Sequence, residues 1–249
     1  KIFIIVSNIP TTGLNRMREQ TVGIIGGMGP EATVELMSRI IAKTPANDDV
    51  DHIHMIVDND PKIPSRIKAL LEGTGEDPGS YIANMARKLQ TAGADFLVMP
   101  CNTAHLYRDV IAEAVSIPFW DMVGMSIQRL LNDLELPLKL GVLASTASIN
   151  VGLFEKTFKD TGIDLLYPTN ADQDTIFNVI RSVKSGTLSD QQISDFTSTV
   201  QRLVNEGAQA LFVACTELSV IADRVSYPVF AYDTLEILAN AIIADVKGQ

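Results

Sequence analysis

Cysteine is scarce in this sequence, which contains two among 249 residues. Two cysteines can form at most one disulfide, so a disulfide framework is excluded as the main source of stability, and a single buried disulfide is the less favoured alternative to free thiols. The first apolar run, residues 2–6, is too short for the hydrophobic segment of a signal peptide, which needs about 7–15 residues. We therefore expect a cytoplasmic protein whose two thiols are free.

Positive charge and long hydrophobic runs are also in short supply. The sequence has 20 lysines and arginines against 30 aspartates and glutamates, which gives a net charge of −10. An acidic surface of this kind argues against nucleic acid or an anionic membrane as a partner. No apolar run approaches the roughly 18 residues of a membrane span. A small molecule is the expected partner, and an anionic one would need local cations.

Apolar residues, by contrast, make up 46% of the chain, enough for one large or two small cores. Short apolar runs at 21–27, 52–59 and 94–100 predict buried strands. Helical periodicity at 30–43 and 80–93 predicts helices, the first beginning at a proline and the second stopping at a glycine. Buried strands that alternate with helices predict an α/β fold with parallel sheets.

The second half of the chain repeats the pattern of the first. The segment LQTAGADFLVMPCNT, residues 89–103, aligns without a gap to LVNEGAQALFVACTE, residues 203–217, and in both a glycine precedes the cysteine by 8 residues. This predicts two similar parallel-sheet subdomains, Rossmann-like or flavodoxin-like, related by a pseudo-twofold. Because open parallel sheets bind ligands at the carboxyl ends of their strands, where both cysteines lie, we predict an active site in the cleft between the subdomains.

The two cysteines, Cys101 and Cys215, are thus the candidate catalytic groups. A helix predicted directly after Cys101 would be capped by Asn102 or Thr103, and its free amides would lower the pKa of the thiol. Thr216 takes the same place after Cys215. Two facing thiols suit inversion at a carbon, since one can remove a proton from one face while the other delivers a proton to the opposite face.

Other interpretations of the thiols stay open. Both could be inert buried residues, or Cys101 could be the nucleophile of a hydrolase with His105 as its base. A hydrolase leaves Cys215 without a role, and no residue that would orient His105 is evident. We expect His105 to be packed in the helix or to donate a local hydrogen bond.

Three separated motifs, GIIGGMGP, MPCNTAH and ACTEL, resemble those of the aspartate/glutamate racemase family, most closely its cofactor-independent aspartate racemases. The resemblance covers about residues 21–247. It implies that Cys101 and Cys215 are the catalytic acid/base pair, that neither pyridoxal phosphate nor a metal takes part, and that the protein forms a homodimer. It also implies substrate-binding roles for Arg66 in KIPSR and Lys184 in SVKSG.

The chemistry of an acidic amino acid also fits these two cations. A guanidinium at Arg66, in a loop after the second strand, can clamp a carboxylate with two parallel hydrogen bonds. Lys184 lies near the end of a helical segment and can supply the second charge. The strand-end loops add side chains that can hydrogen-bond a substrate, which are those of Asn102, Thr103, Thr146 and Thr216.

A division into domains follows from the repeat and the resemblance. Residues 1–20 are expected to be an amino-terminal appendage, residues 21–117 the first subdomain and residues 118–228 the second. The resemblance implies that the last segment, residues 229–249, returns to pack on the first subdomain.

The expected activity is interconversion of L- and D-aspartate, or glutamate, by proton transfer between the two cysteines without a cofactor. Alternatives in the same superfamily are a maleate isomerase, a hydantoin racemase or a decarboxylase, which can use a single cysteine. A different class is a non-catalytic binder of acidic metabolites. Residue types do not separate aspartate from glutamate, because one methylene changes the length of a pocket and not its charge.

Two further motifs point to other ligands. GGMGPEA fits the G-x-G-x-x-A form of the dinucleotide fingerprint, but the acidic candidate at a strand end, Asp58, comes 31 residues after Gly27, where about 20 are expected. We expect the glycines to let backbone amides approach a substrate carboxylate. His52 and His54 share one face of a strand, as a metal pair would, but no third ligand is apparent, so no metal site is predicted.

Overall fold

The structure is a computed structural model that describes residues 19–66, 68–69, 73–136 and 138–248. Most of the predicted amino-terminal appendage, residues 1–18, lies outside the described residues. In the part of the chain that the structure describes, no helix is long and apolar enough to cross a membrane.

The first sheet is made of three parallel strands, which are β1 (Val22–Gly26), β2 (Met55–Asn59) and β3 (Phe96–Val98). Their order is β2-β1-β3, and Phe119 continues the sheet beyond β3 through a parallel bridge to Leu97. β3 is shorter than the predicted strand at 94–100. The apolar run that predicted the strand reflects burial, and burial continues beyond the residues that pair with β1. Met99, for example, is fully buried but lies outside the strand.

The second sheet is made of four parallel strands, which are β4 (Leu138–Ala144), β5 (Ile163–Leu166), β6 (Ala210–Ala214) and β7 (Ala231–Asp233). Their order is β5-β4-β6-β7, so β4 lies between β5 and β6 as β1 lies between β2 and β3. Two parallel sheets in an α/β chain confirm the predicted fold class.

Helices connect the strands. Within the described residues they are α1 (Pro30–Lys43), α2 (Gly79–Thr91), α3 (Arg108–Ala114), α4 (Met122–Asp133), α5 (Thr146–Asn150), α6 (Leu153–Thr157), α7 (Asn170–Ser185), α8 (Asp190–Asn205), α9 (Thr216–Val220) and α10 (Thr234–Lys247). The prediction of α1 is confirmed at both ends, whereas α2 begins one residue earlier and ends two residues earlier than predicted. The α-helix predicted directly after Cys101 is wrong, since Thr103–Tyr107 form a 3-10 helix that leads into α3.

Helices cover both faces of each sheet, which explains why the strands are apolar without alternation. In β1, Ile24 packs with α1 and α10, whereas its neighbour Ile25 points to the other face and packs with α2. In β4, Val142 packs with α4 and α6, and Leu143 packs with α7 and α8. All four side chains are fully buried, and each such burial contributes about 1.5–3 kcal/mol to stability.

Matching local geometry in the two halves supports the duplication seen in the sequence. Gly93 after α2 and Gly207 after α8 have φ values of +102° and +107°, in a region where glycine is favoured. A Cβ on Gly23 of β1 or Gly141 of β4 would lie 2.6 or 2.9 Å from a leucine Cδ2 of the neighbouring strand. The two halves therefore bring strand and helix together in the same way. Their relation by a pseudo-twofold stays a prediction.

Sheet membership bears on the predicted domain boundaries. Leu238 of α10 lies in the same buried cluster as Val22 of the first sheet. The preceding strand β7, however, is paired with β6 of the second sheet, while Phe119 is bridged to the first. Boundaries drawn by sheet membership would thus move residue 119 to the first subdomain and residues 231–233 to the second. The division into two subdomains stays a prediction.

Candidate functional site

The candidate site is a cavity lined by residues that follow strands of both sheets. Its volume is ≈ 180 Å³, below the about 300–1,000 Å³ of pockets for drug-sized ligands, which suits a ligand as small as an amino acid. The structure brings all the predicted site residues to its wall, namely Arg66, Cys101, Asn102, Thr103, Thr146, Lys184, Cys215 and Thr216. A larger surface groove of ≈ 440 Å³ between α7 and α8 contains none of them.

Cys101 and Cys215 occupy equivalent places in the two halves. Cys101 follows β3 and Cys215 follows β6, and only 7% and 6% of their surfaces are exposed. Neither is in a disulfide, which confirms the expectation of free thiols. Both line the same cavity, so a ligand held there would meet a strand-end thiol from each half.

Asn102 is held by a tertiary hydrogen bond and does not cap a helix. Its Nδ2 donates to Thr234 Oγ1 at 3.0 Å, and the 3-10 helix that begins at Thr103 has no side-chain cap. The predicted capping by Asn102 or Thr103 is therefore wrong, because partners distant in sequence take both side chains. The Oδ1 of Asn102 is buried and accepts no hydrogen bond from the described residues, which leaves an acceptor for a ligand.

Two threonine hydroxyls join the halves beside the cavity. Thr103 Oγ1 is hydrogen-bonded to Ser148 Oγ at 2.7 Å and to Ser145 Oγ at 3.2 Å, just after β4. In the other direction, Thr216 Oγ1 donates to the carbonyl of Pro100 at 3.1 Å. These bonds fix the ends of β3 and β6 relative to the opposite half, and so hold the two cysteines in place.

Cys215 has an acidic neighbour, Glu217, that the sequence analysis missed. The Cys215 thiol donates to Glu217 Oε2 over 3.0 Å, and Glu217 also forms an ion pair with Lys184. Burial and the Glu217 carboxylate raise the pKa of the Cys215 thiol well above its usual range, and Lys184 offsets part of that rise. The backbone amide of Glu217 does lower the pKa of Cys215, but burial and the Glu217 carboxylate outweigh it, so the predicted net lowering is wrong for Cys215.

Lys184 lies in the last turn of α7, which ends at Gly186 with φ +67°. Its side chain keeps 39% of its surface exposed. Burial lowers the pKa of Lys184, but the charges of Glu217, Cys215 and Cys101 outweigh burial and raise it overall. The ammonium is thus within electrostatic reach of both thiols, while Glu217 balances its charge.

Arg66 brings a second cation to the cavity from the loop after β2. Its Nη1 donates to the carbonyl of Pro64 at 3.4 Å, a contact within its own loop. Among the residues that the structure describes, no carboxylate forms an ion pair with Arg66. As far as the described residues are concerned, the guanidinium is therefore available to a carboxylate ligand.

Thr146, at the start of α5, is oriented by an amide from α7. Gln173 Nε2 donates to Thr146 Oγ1 at 3.1 Å and to the carbonyl of Ala144 at 3.0 Å. Since the hydroxyl oxygen of Thr146 accepts this bond, its own proton is left to donate into the cavity it lines.

His105 is a buried structural residue. Its Nε2 accepts a hydrogen bond from the Met122 amide at 3.1 Å. The proton of the neutral ring is therefore on Nδ1, which donates to the Cys101 carbonyl at 2.8 Å. Burial lowers the pKa of His105, in keeping with a neutral ring. The expected local hydrogen bond is confirmed, and no ring nitrogen is left to act as a base.

The repeat held a signal for the missed residue Glu217. In the aligned segments 89–103 and 203–217, Glu217 stands at the position of Thr103, which was predicted to line the site. The alignment with Thr103 alone therefore predicts that residue 217 lines the site, whatever its residue type. The other cavity residues missed were Met28, Ser65, Ser145, Ala147, Phe177, Ile180 and Ala214.

The glycine-rich loop after β1 packs against the protein itself. Gly27 has φ +86°, and a Cβ there would lie 2.2 Å from the carbonyl oxygen of Asp60. Its amide donates to Thr33 Oγ1 at 3.1 Å, so that amide does not reach a ligand. Gly29 approaches the other half, since a Cβ there would lie 3.3 Å from Glu217 Oε1.

His52 and His54 lie just before β2. Within the described ranges, no group of three or more histidine, cysteine, aspartate or glutamate side chains is arranged to hold a metal ion. His54 Nδ1 is instead hydrogen-bonded to Thr21 Oγ1 at 3.1 Å, beside β1.

Comparison with protein families and curated proteins gives one consistent result. Residues 25–242 match the Asp/Glu/Hydantoin racemase family. The broad specificity amino-acid racemase RacX of Bacillus subtilis (strain 168) is 25% identical over 227 residues, which are 90% of this chain and 96% of that protein.

Solved structures agree with the sequence matches. The aspartate racemase of Picrophilus torridus is similar with a TM-score of 0.77 and 31% identity, over 92% of this chain and 94% of that one. PH1733 of Pyrococcus horikoshii OT3, an aspartate racemase homologue, has a TM-score of 0.69 and 20% identity, over 92% and 99%. The second likeness concerns the fold alone.

Proposed function

The chain belongs to the Asp/Glu/Hydantoin racemase family, and we propose that it interconverts L- and D-aspartate, or glutamate, by proton transfer between Cys101 and Cys215. The matches to racemases in sequence and in fold make it an amino-acid racemase. The substrate, the roles of the two cysteines and the independence from pyridoxal phosphate are the proposed part.

One observation carries the proposal: the thiols that follow two equivalent strands line one small cavity. One cysteine, as the thiolate, takes the Cα proton and becomes the thiol. The electron pair left on Cα is delocalised into the carboxylate of the substrate. The other cysteine then donates its thiol proton to the opposite face of Cα and becomes the thiolate. One proton is taken and one is given, so no oxidant or cofactor is needed for the balance.

The walls of the cavity supply the charges that this reaction requires. Charge builds up on the substrate carboxylate as the Cα proton leaves, and fixed donors aimed at that charge lower the barrier. We assign Arg66 to one substrate carboxylate, because no described carboxylate competes for it. Lys184 and the hydroxyl of Thr146 are the donors for the second carboxylate, and Asn102 Oδ1 accepts from the substrate ammonium.

Aspartate is the first choice of substrate, and a broader range is the second. The similarity of this chain to the aspartate racemase of Picrophilus torridus, at 31% identity, favours aspartate as the substrate. The similarity to the broad specificity amino-acid racemase of Bacillus subtilis favours a wider set of amino acids as substrates of this chain. The pairing of Lys184 with Glu217 also favours the second candidate, since a neutralised ammonium discriminates less strongly for a second carboxylate.

Assembly and location follow as lesser proposals. We expect a homodimer in the cytoplasm, with an amino acid as its ligand and no nucleic-acid or membrane partner. Size-exclusion chromatography with light scattering would give twice the chain mass of 27.1 kDa for a dimer. A mass equal to one chain would contradict that expectation.

The test of the function is a chiral assay in D₂O without added cofactor. L- and D-aspartate, L- and D-glutamate and L-alanine are each incubated with the protein, alone, with EDTA and with hydroxylamine to trap pyridoxal phosphate. We expect the acidic amino acids to racemise with deuterium at Cα in all three conditions. A double Cys101→Ser, Cys215→Ser variant controls for contaminating racemases. Racemisation of alanine alone, or activity lost to hydroxylamine, would contradict the proposal.

A further inference from the structure

The two thiols of the cavity differ in one neighbour. Glu217 stands two residues after Cys215, and its carboxylate accepts the Cys215 thiol at 3.0 Å. The residue at the aligned position after Cys101 is Thr103, whose hydroxyl is engaged with Ser145 and Ser148. Within the described residues, no carboxylate is hydrogen-bonded to Cys101. The two halves therefore differ in the group that can affect the protonation of the thiol: a carboxylate contacts Cys215, and the first half has a threonine at the aligned position.

Glu217 is held where it stands by three features. Its side chain is 5% exposed and forms an ion pair with Lys184. On the other side it meets the glycine-rich loop, where Gly29 leaves room for its Oε1. A carboxylate so enclosed cannot turn away from Cys215 without leaving its ion pair with Lys184, so its contact with the thiol is built into the fold.

A carboxylate beside a thiol favours the protonated form of the thiol for two reasons. The S–H group donates a hydrogen bond to the carboxylate, and a thiolate in the same place would be repelled by it at close range in a buried site. Lys184 reduces this repulsion but is itself shared between Glu217 and the two thiols.

We infer that Glu217 is a positioning residue that keeps the proton on Cys215 in the substrate-free protein. The inference rests on the proposed function for its consequence: of the two thiols, Cys215 is then the resting acid and Cys101 the resting base. Cys101 takes the Cα proton from one enantiomer, and Cys215 releases its thiol proton to the opposite face. Afterwards Cys215 is the thiolate next to Glu217, a strong base that regains a proton readily.

The test uses the protein with Cys215 as its sole thiol. Because the chain has two cysteines, Cys101→Ala leaves Cys215 alone, and its reaction with iodoacetamide as a function of pH reports its ionisation directly. We expect a midpoint above the usual thiol value of about 8.5. Adding Glu217→Gln should lower the midpoint by about one pKa unit or more, which makes alkylation near pH 7 about tenfold faster.

Two matched variants separate charge from structure. Glu217→Asp keeps the charge on a shorter side chain and should retain most of the raised midpoint. Glu31→Gln removes a negative charge that also lies near Gly29 but does not contact Cys215, and should leave the midpoint unchanged. Circular dichroism and thermal melting establish that each variant is folded.

The result that overturns the inference does not depend on racemase activity. A midpoint at or below about 8.5 with Glu217 in place contradicts it, and so does a midpoint that Glu217→Gln leaves unchanged. If the chiral assay fails while the midpoint shifts as expected, the proposed function is wrong and the role of Glu217 stands. If the assay succeeds while the midpoint does not shift, the proposed function stands and the role of Glu217 is wrong.

Discussion

The two halves of the molecule share their geometry around the cysteines but not their electrostatics. Cys101 and Cys215 follow equivalent strands, 8 residues after glycines with nearly equal φ, and both are buried in the wall of one cavity. The residue two positions on is Thr103 in one half and Glu217 in the other. The threonine bonds to the opposite half, whereas the glutamate bonds to the thiol and to Lys184.

This difference teaches how a duplicated fold can perform an inversion. Equal backbone placement supplies two proton carriers, one from each half, for the two faces of a carbon. Equal charges would leave both thiols in the same protonation state, and the reaction needs one thiol and one thiolate. We infer that the duplication provides the placement of the two thiols and that Glu217 provides the difference in their protonation.

Replacing either cysteine by serine should have the largest effect of the changes considered, on the rate of racemisation. We expect Cys101→Ser and Cys215→Ser each to slow racemisation by about 10²–10⁴-fold, in line with the loss of a positioned acid or base. The chiral assay measures both variants against the wild type, and unchanged melting temperatures serve as the control for folding. Normal racemisation by either variant would contradict the use of two bases.

Arg39 marks a second difference between the halves. It lies in the unbroken helix α1, is 12% exposed, and bonds to Asp233 at 2.7 Å and to the carbonyl of Ser219 at 2.6 Å, after β6. In the second half, the corresponding segment is split into α5 and α6. We expect Arg39→Met to cost about 3 kcal/mol, because it leaves a partly buried carboxylate unpaired, which lowers Tm by about 6–12 °C.

A surface pair provides the control for Arg39. Arg129 is paired with Asp133 on α4 at 2.6 Å, but its side chain is 61% exposed. Arg129→Met should change the free energy of unfolding by less than about 1 kcal/mol. Equal losses from Arg39→Met and Arg129→Met, measured by urea unfolding, would mean that the Arg39 contacts between the halves stabilise the protein no more than a surface pair does.

Among the described residues, the cations of the two halves differ in whether a carboxylate is paired with them. Arg66 has no carboxylate partner among the described residues, while Lys184 is paired with Glu217. Arg66→Gln should raise KM for aspartate by about tenfold to a hundredfold, the equivalent of the ~1.5–3 kcal/mol of charged hydrogen bonds. Lys62→Gln, an exposed lysine of the same loop, is the control and should leave KM unchanged. Equal KM values for both variants would remove Arg66 from the site.

The two bridging hydroxyls should give the smallest effect. Thr103→Val removes bonds to Ser145 and Ser148, and Thr216→Val removes the bond to the Pro100 carbonyl. Each should lower the free energy of unfolding by about 1 kcal/mol, and urea unfolding of the two variants side by side measures it. A loss from one variant only would mean that only one of the two hydroxyl bridges contributes to the free energy of unfolding.

The features that the sequence predicted well are those with local signals. The bounds of α1 follow from Pro30 and the helical period, and the turn after α2 follows from Gly93. The strand-end rule for parallel sheets predicts that Cys101, Cys215 and the residues after them lie at one cavity, as the structure has them. These inferences need short windows of sequence and a rule of chain geometry, whereas Arg66 and Lys184 were implied by the family resemblance.

The features that the sequence did not predict depend on contacts between distant residues. Asn102 and Thr103 were expected to cap a helix, yet they bond to Thr234 and Ser148, which lie 132 and 45 positions away. A local cap and a tertiary partner compete for the same side chain, and only the folded chain decides between them. The effect of Glu217 on Cys215 likewise depends on burial and on Lys184, which sequence alone does not give.

The most direct test of the central claim is exchange at Cα in D₂O by the two single-thiol variants, followed by proton NMR on L- and D-aspartate separately. We expect Cys215→Ser, which keeps Cys101, and Cys101→Ser, which keeps Cys215, to exchange the Cα proton of opposite enantiomers without racemising either. At neutral pH the variant that keeps Cys101 should be the faster, because Glu217 holds the proton on Cys215. Exchange of the same enantiomer by both variants would contradict the claim that the two thiols act on opposite faces of one carbon.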